Sequence, residues 1–213
     1  MPTASPSFSR TALDDYDVLI VPGRGNSGPG HWQSYLEASL PGAQRVHQTE
    51  WDRPELDAWA SRVATEARRA GRPVLAVAHS FGCLATVAAI LDHEAPIAGA
   101  LLVAPADPRR FAIPGDRLGE RLSVPTTLVL SHNDPWLDAV RARGLAALWG
   151  SRVVDAGYAG HINVDSGHGP WPRAHVLLSR LAGSYGAWAG RAAAGLAERS
   201  KASWPVVLSS SGR

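Results

Sequence analysis

One stretch, Pro73–Leu91, constrains this chain more than any other: Pro-Val-Leu-Ala-Val-Ala-His-Ser-Phe-Gly-Cys-Leu-Ala-Thr-Val-Ala-Ala-Ile-Leu. Val74–Ala78 is short, apolar and rich in small and β-branched residues, which predicts a strand buried on both faces. Cys83–Leu91 is apolar almost all round, which predicts a buried helix. Only His79, Ser80, Phe81 and Gly82 separate the two. A strand that turns this abruptly into a helix strains the turning residue and projects its side chain at the helix N-terminus. That is the geometry of a nucleophile elbow, Gly-x-Ser-x-Gly, here written Ala78-His79-Ser80-Phe81-Gly82. The stretch is also long enough to span a membrane as a helix. His79, Ser80 and Gly82 fall mid-span, however, and the first half favours a strand, so no membrane insertion is expected.

The chemistry explains each part of the elbow. Ser80 must be exposed for an acyl carbon to reach its oxygen. Gly82 lacks a Cβ and lets the helix approach the preceding strand. Ala78 replaces the usual first glycine with the next smallest residue. The helix N-terminus offers free N–H groups and a positive partial charge to a developing oxyanion. The competing interpretation is a buried strand–turn–helix with an ordinary serine. Cys83 lies inside the helix and reads as a small core residue rather than a second nucleophile.

The remaining segments alternate. Val18–Val21, Gln44–His47, Ile97–Val103, Thr126–Leu130 and Arg152–Val154 read as strands. His31–Leu40, Leu56–Ala70, Asp138–Trp149 and Arg173–Gly183 read as helices, with Gly71 as a C-cap and Gly150 as a stop. Strands alternating with helices predict a parallel sheet covered on both faces. With 213 residues and 45% hydrophobic content, one domain with a full core is expected, placed at residues 17–183. Residues 1–16 are rich in Ser, Thr and Pro and predict a disordered tail. Residues 184–213 form an Ala-, Gly- and Ser-rich extension, expected to be partly helical and then mobile.

Composition excludes several functions. The formal net charge is +2, no more than two basic residues are adjacent, and Lys201 is the only lysine, so nucleic acid is not an expected partner. A single cysteine rules out an internal disulfide and fits a reducing compartment. Residues 1–16 lack an apolar core of signal-peptide length, and the expectation is a cytoplasmic protein.

Functional residues of an open α/β sheet gather beyond the carboxyl ends of its strands. Asp134 follows Thr126–Leu130 and His161 follows Arg152–Val154, in the chain order serine, acid, histidine. Ser80, Asp134 and His161 are therefore the candidate nucleophile, acid and base. Asp107, which follows Ile97–Val103, is the rival acid, and Asp155 sits too close before His161 in sequence. His168 is the rival base. His79 is expected to point away from the exposed face of the elbow and to be structural. His31, His47, His93, His132 and His175 lack comparable context. The oxyanion would be held by the N–H groups of Phe81 and of Arg24, the latter in the loop Gly23–Gly30 after the first strand. That loop lacks the Gly-Lys-Ser/Thr ending of a phosphate-binding loop, and Pro29-Gly30 breaks any dinucleotide fingerprint. His161, Asp165 and His168 match no common zinc spacing, so no metal is expected.

Val18–Gly23 with His31-Trp32-Gln33, Trp51-Asp52-Arg53-Pro54 with Trp59, Ala78–Gly82, Ser131–Pro135, Gly160–Asn163 and Ser166–Pro172 follow one another in an order that resembles a known group. They are similar to the small single-domain serine hydrolases of the retinoblastoma-binding protein 9 type and their bacterial relatives. The resemblance covers roughly 17–181. It implies a compact α/β-hydrolase fold trimmed of its first antiparallel strands, no cofactor, and Ser80, Asp134 and His161 as nucleophile, acid and base. The segment Ala104–Val124, where relatives insert a lid, is too short for a large lid domain. Its Arg109 and Arg110 either meet a substrate carboxylate or stand solvated at the surface. The expected function is cleavage of a small ester or amide through an acyl-enzyme. The alternative is a non-catalytic protein-binding module, although the Leu-x-Cys-x-Glu docking sequence is absent. Substrate-binding residues and oligomeric state are not legible in the sequence.

Overall fold

The computed structural model describes residues 12–202, so the disorder expected of residues 1–11 and the mobility expected of residues 203–213 lie outside the described residues. Among the described residues one parallel sheet contains β1 (Asp17–Val21), β2 (Gln44–Arg45), β3 (Val74–Ser80), β4 (Ile97–Pro105), β5 (Thr126–Leu130) and β6 (Arg152–Asp155). Their order is β2-β1-β3-β4-β5-β6. The helices are α1 (Trp32–Ser39), α2 (Leu56–Arg69), α3 (Phe81–His93), α4 (Ala139–Trp149) and α5 (Pro172–Ala202). No helix among the described residues is long and apolar enough to cross a membrane.

Alternation along the strands divides the core in two. Val74, Ala76 and Ala78 of β3 join Leu102 and Leu128 against α2, α3 and α4. Leu75 and Val77 join Leu101, Val103 and Val129 against Trp32 and Leu36 of α1 and Leu177, Leu178 and Leu181 of α5. β3 and β4 are buried on both faces, which is why both read as unbroken apolar runs. The chain runs from β1 outward to β2, then crosses back over β1 to β3. The direction of winding therefore reverses between β1 and β3, and a crevice opens beyond their carboxyl ends. Gly23 and Ser80 stand at that crevice.

Several boundaries differ from the sequence expectations. No loop separates β3 from α3, because the elbow residues complete the strand and begin the helix. His31 is the N-cap of α1 rather than its first residue, with its Nδ1 accepting from Gln33 N–H. Gly71 does not cap α2; Ala70 does, in extended conformation. Gly150, at φ +69°, closes α4 as expected. Leu13 is buried and Tyr16 Oη donates to Ala182 O at 3.1 Å, so residues 12–16 of the expected tail belong to the packed body. No break falls at residue 183, because α5 continues to Ala202. The segment after β4 carries a single 3-10 turn, Pro108–Phe111, and then packs Leu118 and Leu122 into the core.

Candidate active site

The elbow is set by how closely two backbones meet. A Cβ on Gly82 would lie 2.4 Å from both Val21 O and Pro22 O. Only glycine lets α3 start against the end of β1. On the other side, a Cβ on Gly23 would lie 2.7 Å from Ser80 Cβ, so the loop after β1 is pressed against the serine. Ser80 itself sits at φ 53°, ψ −123°, makes no side-chain capping bond and is half-buried. Its hydroxyl stands at the free N–H end of a thirteen-residue helix.

Asp134 and His161 arrive from the loops after β5 and β6. The His161 Nδ1–H donates to the Asp134 carboxylate, at 3.0 Å from Oδ1 and 2.9 Å from Oδ2, and both side chains are buried. Trp136 N–H adds a bond to Asp134 Oδ1 at 2.9 Å. Ser131 and Asn133 stitch the two loops together. Ser131 Oγ accepts from Ala159 N–H, and Asn133 Oδ1 accepts from Gly160 N–H at 2.8 Å. Gly160 lies at φ +59°, and a Cβ there would fall 2.5 Å from Ser166 Cβ, so the chain can turn back over the sheet only with glycine. Two buried donors hold the backbone of His161 and Ile162. His79 Nε2–H donates to His161 O at 2.9 Å, and Trp32 Nε1–H donates to Ile162 O at 2.8 Å.

Ser80 and His161 open on one cavity of about 360 Å3, whose wall also includes Arg24, His31, Ala106, Phe111 and Trp136. The structure thus brings Ser80, Asp134, His161, Phe81 and Arg24 to one place. It does not bring in the rivals as base or acid. His168 is absent from the cavity wall and meets Ser166 Oγ and the edge of Trp171. Asp107 reaches the cavity, but Arg141 holds it in a two-pronged ion pair. Asp155 pairs with His132 and Arg143 at the surface; chiefly the His132 hydrogen bond lowers its carboxyl to about 2. His161, Asp165 and His168 form no ligand cluster; among the described residues no group of three or more His, Cys, Asp or Glu is placed to hold a metal.

Two histidines carry more than the sequence suggested. His79 is buried, and its ring lies between those of His31 and His161, at 4.9 and 4.8 Å between centroids. Burial, then the neighbouring His161 and His31, push its pKa well below the usual value. Burial also lowers His31, to about 4, with smaller contributions from Arg45, His161 and His168. The available signal for His31 was its place, directly after the glycine-rich loop that follows β1 and before a helix. Arg110 lines the same cavity: its guanidinium lies 5.1 Å from the Trp136 ring centroid and donates to Pro135 O.

This sheet order, with a serine elbow after its third strand in sequence, defines an α/β-hydrolase. The chain belongs to the serine hydrolase family, whose model matches residues 18–180, the family that also holds the retinoblastoma-binding protein 9 type. Among solved structures it is similar to a YdeN-like hydrolase from Pectobacterium atrosepticum, at 39% identity over 82% of this chain and 94% of that one, with a TM-score of 0.78. The ydeN gene product of B. subtilis matches at 20% identity over 78% and 98%, with a TM-score of 0.65. A thermophilic esterase from the Planctomycetes species Thermogutta terrifontis matches in fold at 14% identity over 82% and 83%, with a TM-score of 0.59. No curated protein matches the chain.

Proposed function

We propose that this serine hydrolase is an esterase-type enzyme that cleaves a small ester or amide through Ser80, His161 and Asp134. The observation that carries the proposal is the opening of Ser80, in its strained elbow, and of the Asp134-bound His161 on the same cavity. In this mechanism His161 Nε2 takes the Ser80 proton as Oγ attacks the acyl carbon. Asp134 keeps the other ring proton on Nδ1 and balances the imidazolium charge. The tetrahedral oxyanion accepts from Phe81 N–H, which has no acceptor within its own helix, and from Arg24 N–H. His161 then returns the proton to the departing alcohol or amine, and water repeats the sequence on the acyl-serine. An open cavity of about 360 Å3, with no lid domain among the described residues, suits short or flexible acyl groups.

The test is labelling by a fluorophosphonate probe, together with hydrolysis of a short-chain chromogenic ester. Wild type is expected to label and turn over. Ser80→Ala is expected to do neither while keeping its fold, with a loss in kcat on the order of 10⁴ to 10⁶. Full labelling of a folded Ser80→Ala protein would remove Ser80 from the mechanism.

A further inference from the structure

The cavity has two unlike sides, and the sheet decides which is which. Phe111 and Ala106 pack with the core on the α2, α3 and α4 face, where Phe81 lies 4.6 Å from Phe111 between ring centroids. His31 caps α1 on the opposite face and reaches His161 through the ring of His79. The serine-hydrolase chemistry orients a substrate across these sides. As the bond from the acyl carbon to the leaving atom breaks, His161 Nε2–H gives its proton to that atom. The leaving group must therefore turn toward His161, and hence toward His31.

His31 is built to meet it. Its Nδ1 accepts from Gln33 N–H at 3.2 Å, which places the ring proton on Nε2. Gln33 is itself fixed: it donates to Val21 O and Val77 O and accepts from Ser27 Oγ at 2.6 Å. Burial keeps the ring uncharged at neutral pH. Nδ1 is occupied, the ring lines the cavity, and among the described residues Nε2–H meets no hydrogen-bond acceptor. We infer that His31 is a specificity-determining residue whose Nε2–H donates to an oxygen acceptor on the leaving group of the substrate. The inference rests on the proposed roles of Ser80 and His161. It names the substrate class as esters or amides whose leaving group carries an ether, hydroxyl or carbonyl oxygen near the scissile bond, with a small apolar acyl group against Phe111.

The experiment compares 2-methoxyethyl butyrate with n-butyl butyrate, leaving groups of equal length that differ by one acceptor oxygen. The oxygen also makes the alcohol a better leaving group, equally in every variant, so the readout is each variant's ratio of kcat/KM relative to wild type. His31→Asn keeps an N-capping oxygen but loses the distal donor. His31→Gln restores a distal N–H donor without the ring. The expected result is a ratio about fivefold lower in His31→Asn, with His31→Gln close to wild type. An unchanged ratio in His31→Asn, an equal loss for both esters, or equal falls in ratio in both variants overturns the inference while wild-type probe labelling of Ser80 leaves the hydrolase proposal standing. Absence of labelling in folded wild type overturns both.

Discussion

Replacing Ser80 with glycine should stabilise the protein and abolish its activity, and the comparison with Ser80→Ala isolates the reason. At φ 53°, ψ −123° Ser80 occupies backbone space that glycine enters freely and residues with a Cβ rarely enter. Such strain costs about 1–3 kcal/mol. Ser80→Ala keeps the Cβ and so keeps the strain. It loses only Oγ, which caps nothing in α3. Ser80→Gly releases the strain but adds about 0.5–1 kcal/mol of freedom to the unfolded chain. The difference leaves glycine ahead of alanine by about 1 kcal/mol. For a chain of this length that raises Tm by about 2–4 °C. The assay is calorimetric melting of both variants side by side, with probe labelling as the activity check. If Ser80→Gly melts at or below Ser80→Ala, the elbow is not storing backbone strain.

Two further outcomes follow from the surroundings of Ser80. Single-turnover acylation by a chromogenic ester should be lost in His161→Ala and reduced about 10⁴-fold in Asp134→Asn, while His168→Ala retains most of it; a dead His168→Ala beside an active His161→Ala would reassign the base. Stability should also fall on the acid side. His31 and His79 are held neutral when folded, so the unfolded chain binds more protons below about pH 6.5. Both contributions are complete above that pH; that of His31 is lost as pH falls toward about 4, and that of His79 declines in the same direction. His31 alone accounts for on the order of 3 kcal/mol of that loss. Denaturant unfolding at pH 7.5, 5.5 and 4.5 measures it, and a flat profile between 7.5 and 4.5 would show that neither ring is buried neutral.

The fold was legible because β1 is an apolar run closed by Pro22 and β4 one that ends at Pro105, and because β3 and β4 are buried on both faces with no polar residue to interrupt the run before the elbow. Asp134 and His161 were legible because both follow strands, and a parallel sheet delivers every strand end to one edge. The order of the strands left no local trace, since it depends on pairing between distant segments. Asp107 shows the same limit. It follows a strand as an acid should, but Arg141 neutralises it from α4, a contact created only by packing. His31 was passed over for the same reason, because its worth comes from α1 crossing the sheet face to set its ring against His79. The end of α5 was misplaced at Gly183, because small residues past that point carry little amphipathic pattern for a sequence to reveal.

The three clustered imidazoles bear on where the proton travels in the proposed mechanism. Their centroids are 4.8 and 4.9 Å apart, so two charged neighbours would repel by about 3 kcal/mol even at an effective dielectric of 20. His79 is fixed by its bond to His161 O and His31 by its bond from Gln33 N–H, and among the described residues neither has a carboxylate hydrogen-bonded to it. His161 alone has Asp134. The charge created by Ser80 attack accordingly settles on His161, the ring that must later release it to the leaving group. A cation fixed at position 31 would oppose that charge from within the same cluster. A neutral ring with its N–H turned to the cavity does not, and it remains free to hold the leaving group while the proton is delivered.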